Sequence, residues 1–166
     1  MNWLKSTVHK FYRFWKLDKD SKWLLLQAFV LLPLVTLFLK FSKLNHTQTV
    51  LMWLLPTPNI SLNESDRFFK IKNTVQMVQL AANSYPWANC LPKSLVLWRL
   101  LHRQGIDSEL RIGVHRDTKA FEAHAWVEYE GFALNDASDV RSRFAMFNAS
   151  IGMPFENNVR QNEHHV

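Results

Sequence analysis

One cysteine, Cys90, and four glycines are all that the 166 residues contain of those two types. A single thiol excludes an intrachain disulfide and a structural zinc site built from several cysteines, and it fits a reducing cytoplasm. With so little glycine, no GxxxxGK[ST] phosphate loop and no dinucleotide fingerprint can be assembled. No cofactor is therefore expected on this chain, and any ATP used alongside it is expected to bind a partner. Negative charge is also short, with 14 acidic residues against 20 basic ones, a net +6. That balance suits an acidic or phosphate-bearing partner or a membrane surface. It comes with no RNA- or DNA-binding motif, so nucleic acid is not expected as a partner. No internal repeat or low-complexity tract is present.

What is there begins with apolar residues, 48% of the chain. That is enough for one core and too short a chain for two ordinary domains. Residues 1–22 are basic and aromatic, and Trp23 to Leu39 is strongly apolar, broken only by Gln27, Pro33 and Thr36. Those 17 residues would span roughly 25 Å as a helix, short of the ~30 Å hydrocarbon core, and no small-residue cleavage site follows them. They are read as a helix, or a helix pair broken near Pro33, packed on the domain or on a partner, with membrane association through 23–39 as the alternative. Leu55–Ser61, with two prolines, reads as a linker. From about Ser65 to Ala82 the spacing predicts an amphipathic helix. Phe68, Ile71, Val75, Val78 and Ala82 form its core stripe, and Lys70, Lys72, Asn73, Gln76 and Gln79 its polar face. The organisation expected is an apolar helical extension and linker over 1–60, the main domain over 61–150 and a polar tail over 151–166. That tail carries His164 and His165 and is expected to remain unfolded.

Chemistry concentrates after Tyr85. CLPKSLVLWRLLHRQG reads as a helix starting at Cys90, with Pro92 in its first turn, an apolar face of Leu95, Leu97, Trp98 and Leu101, and Gly105 where a C-terminal cap belongs. At a helix start, unpaired amides and the positive end of the helix dipole stabilise a thiolate and make it nucleophilic. A free cysteine is also commonly a small buried hydrophobe, so position alone leaves both readings open. Downstream, Leu110, Ile112 and Val114 alternate with Glu109, Arg111 and Gly113 as in a strand, a loop HRDTKA follows, and FEAHAWVEYEGFALND reads as a β-hairpin. A three-residue loop of Tyr129, Glu130 and Gly131 would place Glu128 opposite Phe132 and His124 opposite Asp136, with Cβ atoms about 5 Å apart. A two-residue loop would shift that register by one and separate the pair.

Cysteine, histidine and an acid, in that order, are what nucleophilic acyl chemistry requires. The thiolate attacks a carbonyl, the imidazole takes and returns the proton, and the carboxylate orients the ring and stabilises imidazolium. Cys90, His124 and Asp136 are the candidate catalytic residues. For the oxyanion, the Cys90 amide is one candidate donor, with Trp87 or Asn89 as the second. A metal site made from Cys90, His124 and Asp136 would match no standard zinc spacing.

The stretches CLPKSLVLWRLLHRQGIDSELRIGV and FEAHAWVEYEGFALND resemble the leader peptidases of lasso-peptide biosynthesis, which are transglutaminase-like cysteine proteases. The resemblance runs over about Tyr85 to Asp136 and fades in the N-terminal region, where only the apolar helical character is similar. Cys90-Leu91-Pro92 matches the helix start that carries the nucleophile. Glu122 to Val127 matches the strand that carries the histidine, and Leu134-Asn135-Asp136 the segment that carries the acid. The resemblance implies an α+β, papain-like fold with the nucleophile helix packed on an antiparallel sheet. It also implies removal of a leader from a precursor peptide, freeing the core amine for an asparagine-synthetase-like cyclase. Residues 1–60 show no alternating strands of a fused recognition module, so a separate leader-recognition protein is expected. Two other classes stay open: an acyltransferase in which an amine resolves the same acyl-cysteine, and a noncatalytic scaffold of the same fold.

Overall fold

A computed structural model describes residues 17–41, 44–54, 63–115 and 122–146. The linker Leu55–Ser61, all but His115 of the HRDTKA loop, and the tail with His164 and His165 lie outside the described residues, as do residues 1–16. In chain order the elements are α1 (Lys19–Phe41), α2 (Leu44–Leu54), α3 (Glu64–Ala82), α4 (Cys90–Arg103), β1 (Glu109–His115), β2 (Ala123–Tyr129), β3 (Phe132–Ala133), α5 (Val140–Arg143) and β4 (Phe144–Met146). The fold is α+β: a helical layer lies against one four-stranded antiparallel sheet of order β3-β2-β1-β4.

Of the two forms expected for the apolar run 23–39, it takes the single continuous helix and not the pair broken near Pro33. Proline has no N–H to give to the carbonyl four residues back, which is Phe29. The Tyr85 hydroxyl donates to that Phe29 carbonyl at 3.0 Å, and the two rings meet edge to face at 5.8 Å. A donor from the segment just before α4 thus replaces the one proline lacks, and the helix continues. Polar turns extend α1 to 23 residues, roughly 35 Å, so it reaches well past the apolar run. By length and composition it could cross a membrane. One face of it is nonetheless committed to protein: Leu24, Leu25, Ala28, Leu31, Leu32 and Val35 are buried in the core shared with α3 and α4.

Asn63 caps α3 by accepting the Asp66 amide at 3.0 Å, and Glu64 and Asp66 complement the positive end of its dipole. Its buried stripe is Ile71, Thr74, Met77, Val78, Ala81 and Ala82. Phe68, expected in the core, is exposed along with Phe69. The stripe is centred on Thr74 and Val78, which turns Phe68 toward the sheet edge, where it lines a groove with Tyr129 and Phe132. Thr74 is tolerated inside because its hydroxyl donates to the Lys70 carbonyl at 2.7 Å and accepts from Gln104 at 2.7 Å.

Helix α4 is the centre of the molecule. It was expected to show one apolar face, yet every residue from Ser94 to His102 is buried, because α1 and α3 cover one side and the sheet the other. Its polar residues survive there by pairing. Ser94 donates to the Ala125 carbonyl at 2.9 Å, and Arg99 donates to the Leu51 carbonyl at 2.9 Å. His102 Nε2 meets the Ser108 carbonyl at 2.7 Å.

Candidate active site

Cys90 is the first residue of α4 and is half-buried. The residue before it, Asn89, is extended, so the chain enters the helix at the thiol. Pro92 fits the first turn without loss because no intrahelical bond is available to its nitrogen there. Cys90, Lys93 and Leu97 from α4, Val75 and Gln79 from α3, and His124, Asn135 and Asp136 from the sheet edge line one cavity of about 180 Å³.

His124 Nε2 hydrogen-bonds Asp136 Oδ2. The route to this contact differs from the one expected. The hairpin pairs Tyr129 with Phe132 and Glu128 with Ala133, so its loop is the two-residue Glu130-Gly131 and not Tyr129-Glu130-Gly131. Both loop residues have positive φ, 48° and 83°, as a type I′ turn requires to match the strand twist. Carried onward, that register would set Asp136 on the face away from His124. The ladder stops first. Leu134 still donates to the Val127 carbonyl at 2.9 Å, but the Val127 amide is taken by Asn135 Oδ1 at 2.8 Å instead of a strand carbonyl. Asn135 Nδ2 donates to Ser94 Oγ at 3.0 Å. Asn135 is thereby pinned between strand and central helix, the chain turns off the sheet, and Asp136 reaches His124 from the edge.

The carboxylate is held at its other oxygen too. Asp136 Oδ1 accepts the Ala137 amide at 2.7 Å and Arg143 Nη2 at 2.9 Å. Burial pushes the Asp136 carboxyl up, but bonds from His124, the Ala137 amide and Arg143 outweigh it and hold the group below the usual carboxylate range. The imidazole is fixed by stacking, on Phe144 at 4.8 Å and Trp126 at 6.1 Å between centroids. Phe144 gets there because Gly113, paired with His124 across β1 and β2, has no side chain. A Cβ at Gly113 would stand 3.1 Å from Phe144 Cβ and 2.8 Å from the Ala145 carbonyl oxygen.

Behind Trp126 lies a buried charge cluster. Glu128 Oε1 accepts the Trp126 indole N–H at 2.7 Å and Arg141 Nε at 2.7 Å, and Oε2 accepts Arg141 Nη2 at 2.5 Å and Arg111 Nε at 3.1 Å. Burial pushes the Glu128 carboxyl up, and the bonds from Arg141, Trp126 and Arg111 more than offset this. Glu128→Ala would leave four donors, from Trp126, Arg141 and Arg111, facing a void. It is expected to lower stability by about 3 kcal/mol, the low end for a broken buried pair because Arg141 is half-exposed. Glu128→Gln, which keeps an acceptor for the indole, should lose less. Urea unfolding of the three proteins measures both, and equal stability of Glu128→Ala and wild type would refute the role.

Reading the residues in order brought forward Cys90, His124 and Asp136. It missed Asn135, Ser94, Arg143, Phe144 and Gly113. It also missed Trp126, for which the available signal was its place two residues from His124 on the same strand face. Neither Trp87 nor Asn89 lines the cavity; Trp87 packs on Tyr85 at 4.9 Å.

Helices packed on a four-stranded antiparallel sheet fit the α+β fold of the transglutaminase-like superfamily. Residues 30–148 match that family, and the chain belongs to it. A segment of 59 residues is 39% identical to the microcin J25-processing protein McjB of Escherichia coli, covering 36% of this chain and 27% of that protein. The chain thus aligns with about a quarter of the length of this relative. No solved structure matches it.

Proposed function

We propose that this chain is a cysteine peptidase that removes the leader from a ribosomally made precursor peptide during lasso-peptide maturation. The observation that carries the reading is the His124–Asp136 pair opening onto the same cavity as Cys90 at the head of α4. The likeness to a protein named for processing microcin J25 supports the substrate class. Asp136 holds Nε2, so Nδ1 is the nitrogen that serves the thiol. Cys90 sulfur attacks the carbonyl carbon of the scissile bond as His124 takes the thiol proton, and His124 then protonates the departing amine. Water activated by the same imidazole hydrolyses the acyl-cysteine. The Cys90 amide is one donor to the oxyanion, and the Gln79 carboxamide, which lines the cavity, replaces Trp87 and Asn89 as candidate for the second.

The partners that go with this reading are the precursor peptide, a separate leader-recognition protein and an asparagine-synthetase-like cyclase that uses the ATP, all in the cytoplasm. Family membership also favours a second reading, transfer of the acyl group from Cys90 to an amine. One experiment separates the two. The protein is incubated with the precursor encoded beside it and the recognition protein, and the products are weighed by mass spectrometry. Free leader with a carboxyl terminus supports the peptidase, a new amide supports transfer, and an unchanged precursor overturns both.

A further inference from the structure

We propose that the outer face of α1 docks this protein on an anionic lipid surface, with the helix lying in the interface and not crossing the bilayer. Trp23, Leu26, Val30, Leu34, Leu37 and Phe41 recur at steps of three and four residues, and each is between 38% and 82% exposed. At about 100° per residue they fall on one narrow stripe opposite the buried Leu24, Ala28, Leu31 and Val35. A run of six such side chains, roughly 27 Å long, is uncommon on a protein surface without a counterpart.

Its chemistry favours lipid over a protein groove. Apart from the Trp23 indole N–H the stripe contains no polar side-chain group, whereas a protein interface carries about one hydrogen bond per 100–200 Å². Trp23 and Phe41 stand in the stripe with its leucines and valine, the Trp/Phe/Leu composition that the apolar face of an interfacial helix carries. Lysines stand at both its ends: Lys19 and Lys22, beside Asp18 and Asp20, at the start, and Lys40 and Lys43 at the end. The preceding residues 1–16 add Lys5, Lys10, Arg13 and Lys16 with Trp3, Phe11, Tyr12, Phe14 and Trp15, and no acid. Cationic flanks and interfacial aromatics around an apolar face are what binding to anionic headgroups requires. Crossing is disfavoured because α1 is packed along α3. Insertion would carry the exposed Glu64, Asp66, Lys72 and Gln76 into hydrocarbon.

The test is flotation of the full chain with vesicles of phosphatidylcholine alone and of phosphatidylcholine with 30% phosphatidylglycerol, at low and high salt. Binding to the anionic vesicles, weakened by salt and absent from the neutral ones, is expected. Lys19→Glu with Lys40→Glu should cut partitioning by roughly five-fold or more per lysine. Leu26→Glu with Val30→Glu and Leu37→Glu should abolish it, with far-ultraviolet circular dichroism confirming the fold. If that triple variant misfolds, the lysine pair alone decides. Failure to float with anionic vesicles overturns the proposal. So does wild-type dimerisation through this face, seen by light scattering, or retention on vesicles that only detergent reverses, which would mean a crossing helix.

Discussion

Cys90→Ala is expected to abolish precursor cleavage and leave the fold intact. The substitution removes the chain's only thiol, and with it the atom proposed to form the acyl intermediate. Alanine favours a helix start no less than cysteine does, and the site is half-buried at a cavity wall, so little packing is lost. Cys90→Ser should be almost as inert, because an alcohol yields next to no anion at neutral pH. Both variants should show wild-type unfolding in urea and no precursor turnover by mass spectrometry. Substantial cleavage by Cys90→Ala would end the peptidase reading, and inertness of wild-type Cys90 toward iodoacetamide would favour the scaffold.

The second large effect is expected at Asp136. Loss of the analogous carboxylate in a serine triad costs about 10⁴ in turnover, and a thiol, which ionises more readily, needs less help from its base. Asp136→Ala should therefore slow cleavage by about two to three orders of magnitude and stay measurably above Cys90→Ala. The fall should lie in kcat, since Asp136 acts on the imidazole and not on bound peptide. Asp139 is the internal comparison. It is exposed and its carboxylate meets Arg143 Nε at 3.2 Å, so Asp139→Ala should stay close to wild type. Equal rates for the two alanine variants would remove Asp136 from the mechanism.

The parts of this fold that were legible in sequence are those written in local pattern. The α3 and α4 helices, the alternation of β1 and the turn glycine Gly131 follow from spacing and from positive φ. Pairs that depend on where one element ends against another were not. The hairpin register was missed by one because nothing local says that Glu130 takes a left-handed conformation. The contact it was meant to explain exists for another reason, Asn135 leaving the ladder to bond Ser94, 41 residues away. Whether Pro33 breaks its helix is likewise open in the sequence, and Tyr85, 56 residues from Phe29, supplies the donor that keeps the helix whole. Phe144 stacks on His124 only because β4 pairs with β1, a contact with no short-range signal.

The four-residue helix α5 grips two carboxylates at once, Arg141 holding Glu128 and Arg143 holding Asp136. Both acids titrate below their ordinary range in the folded chain. Each contributes stability that is complete above its unfolded pKa of about 4 and is lost as pH falls through its folded value. Acid therefore loosens both contacts that α5 makes, the one to the imidazole's partner Asp136 and the one to Glu128 under Trp126. Cleavage activity and the tryptophan fluorescence of the chain should both fall below about pH 4, and loss of one without the other would show that α5 does not couple the two carboxylates. Two arginines two residues apart thus tie the carboxylate beside His124 and the carboxylate beneath Trp126 to one short helix.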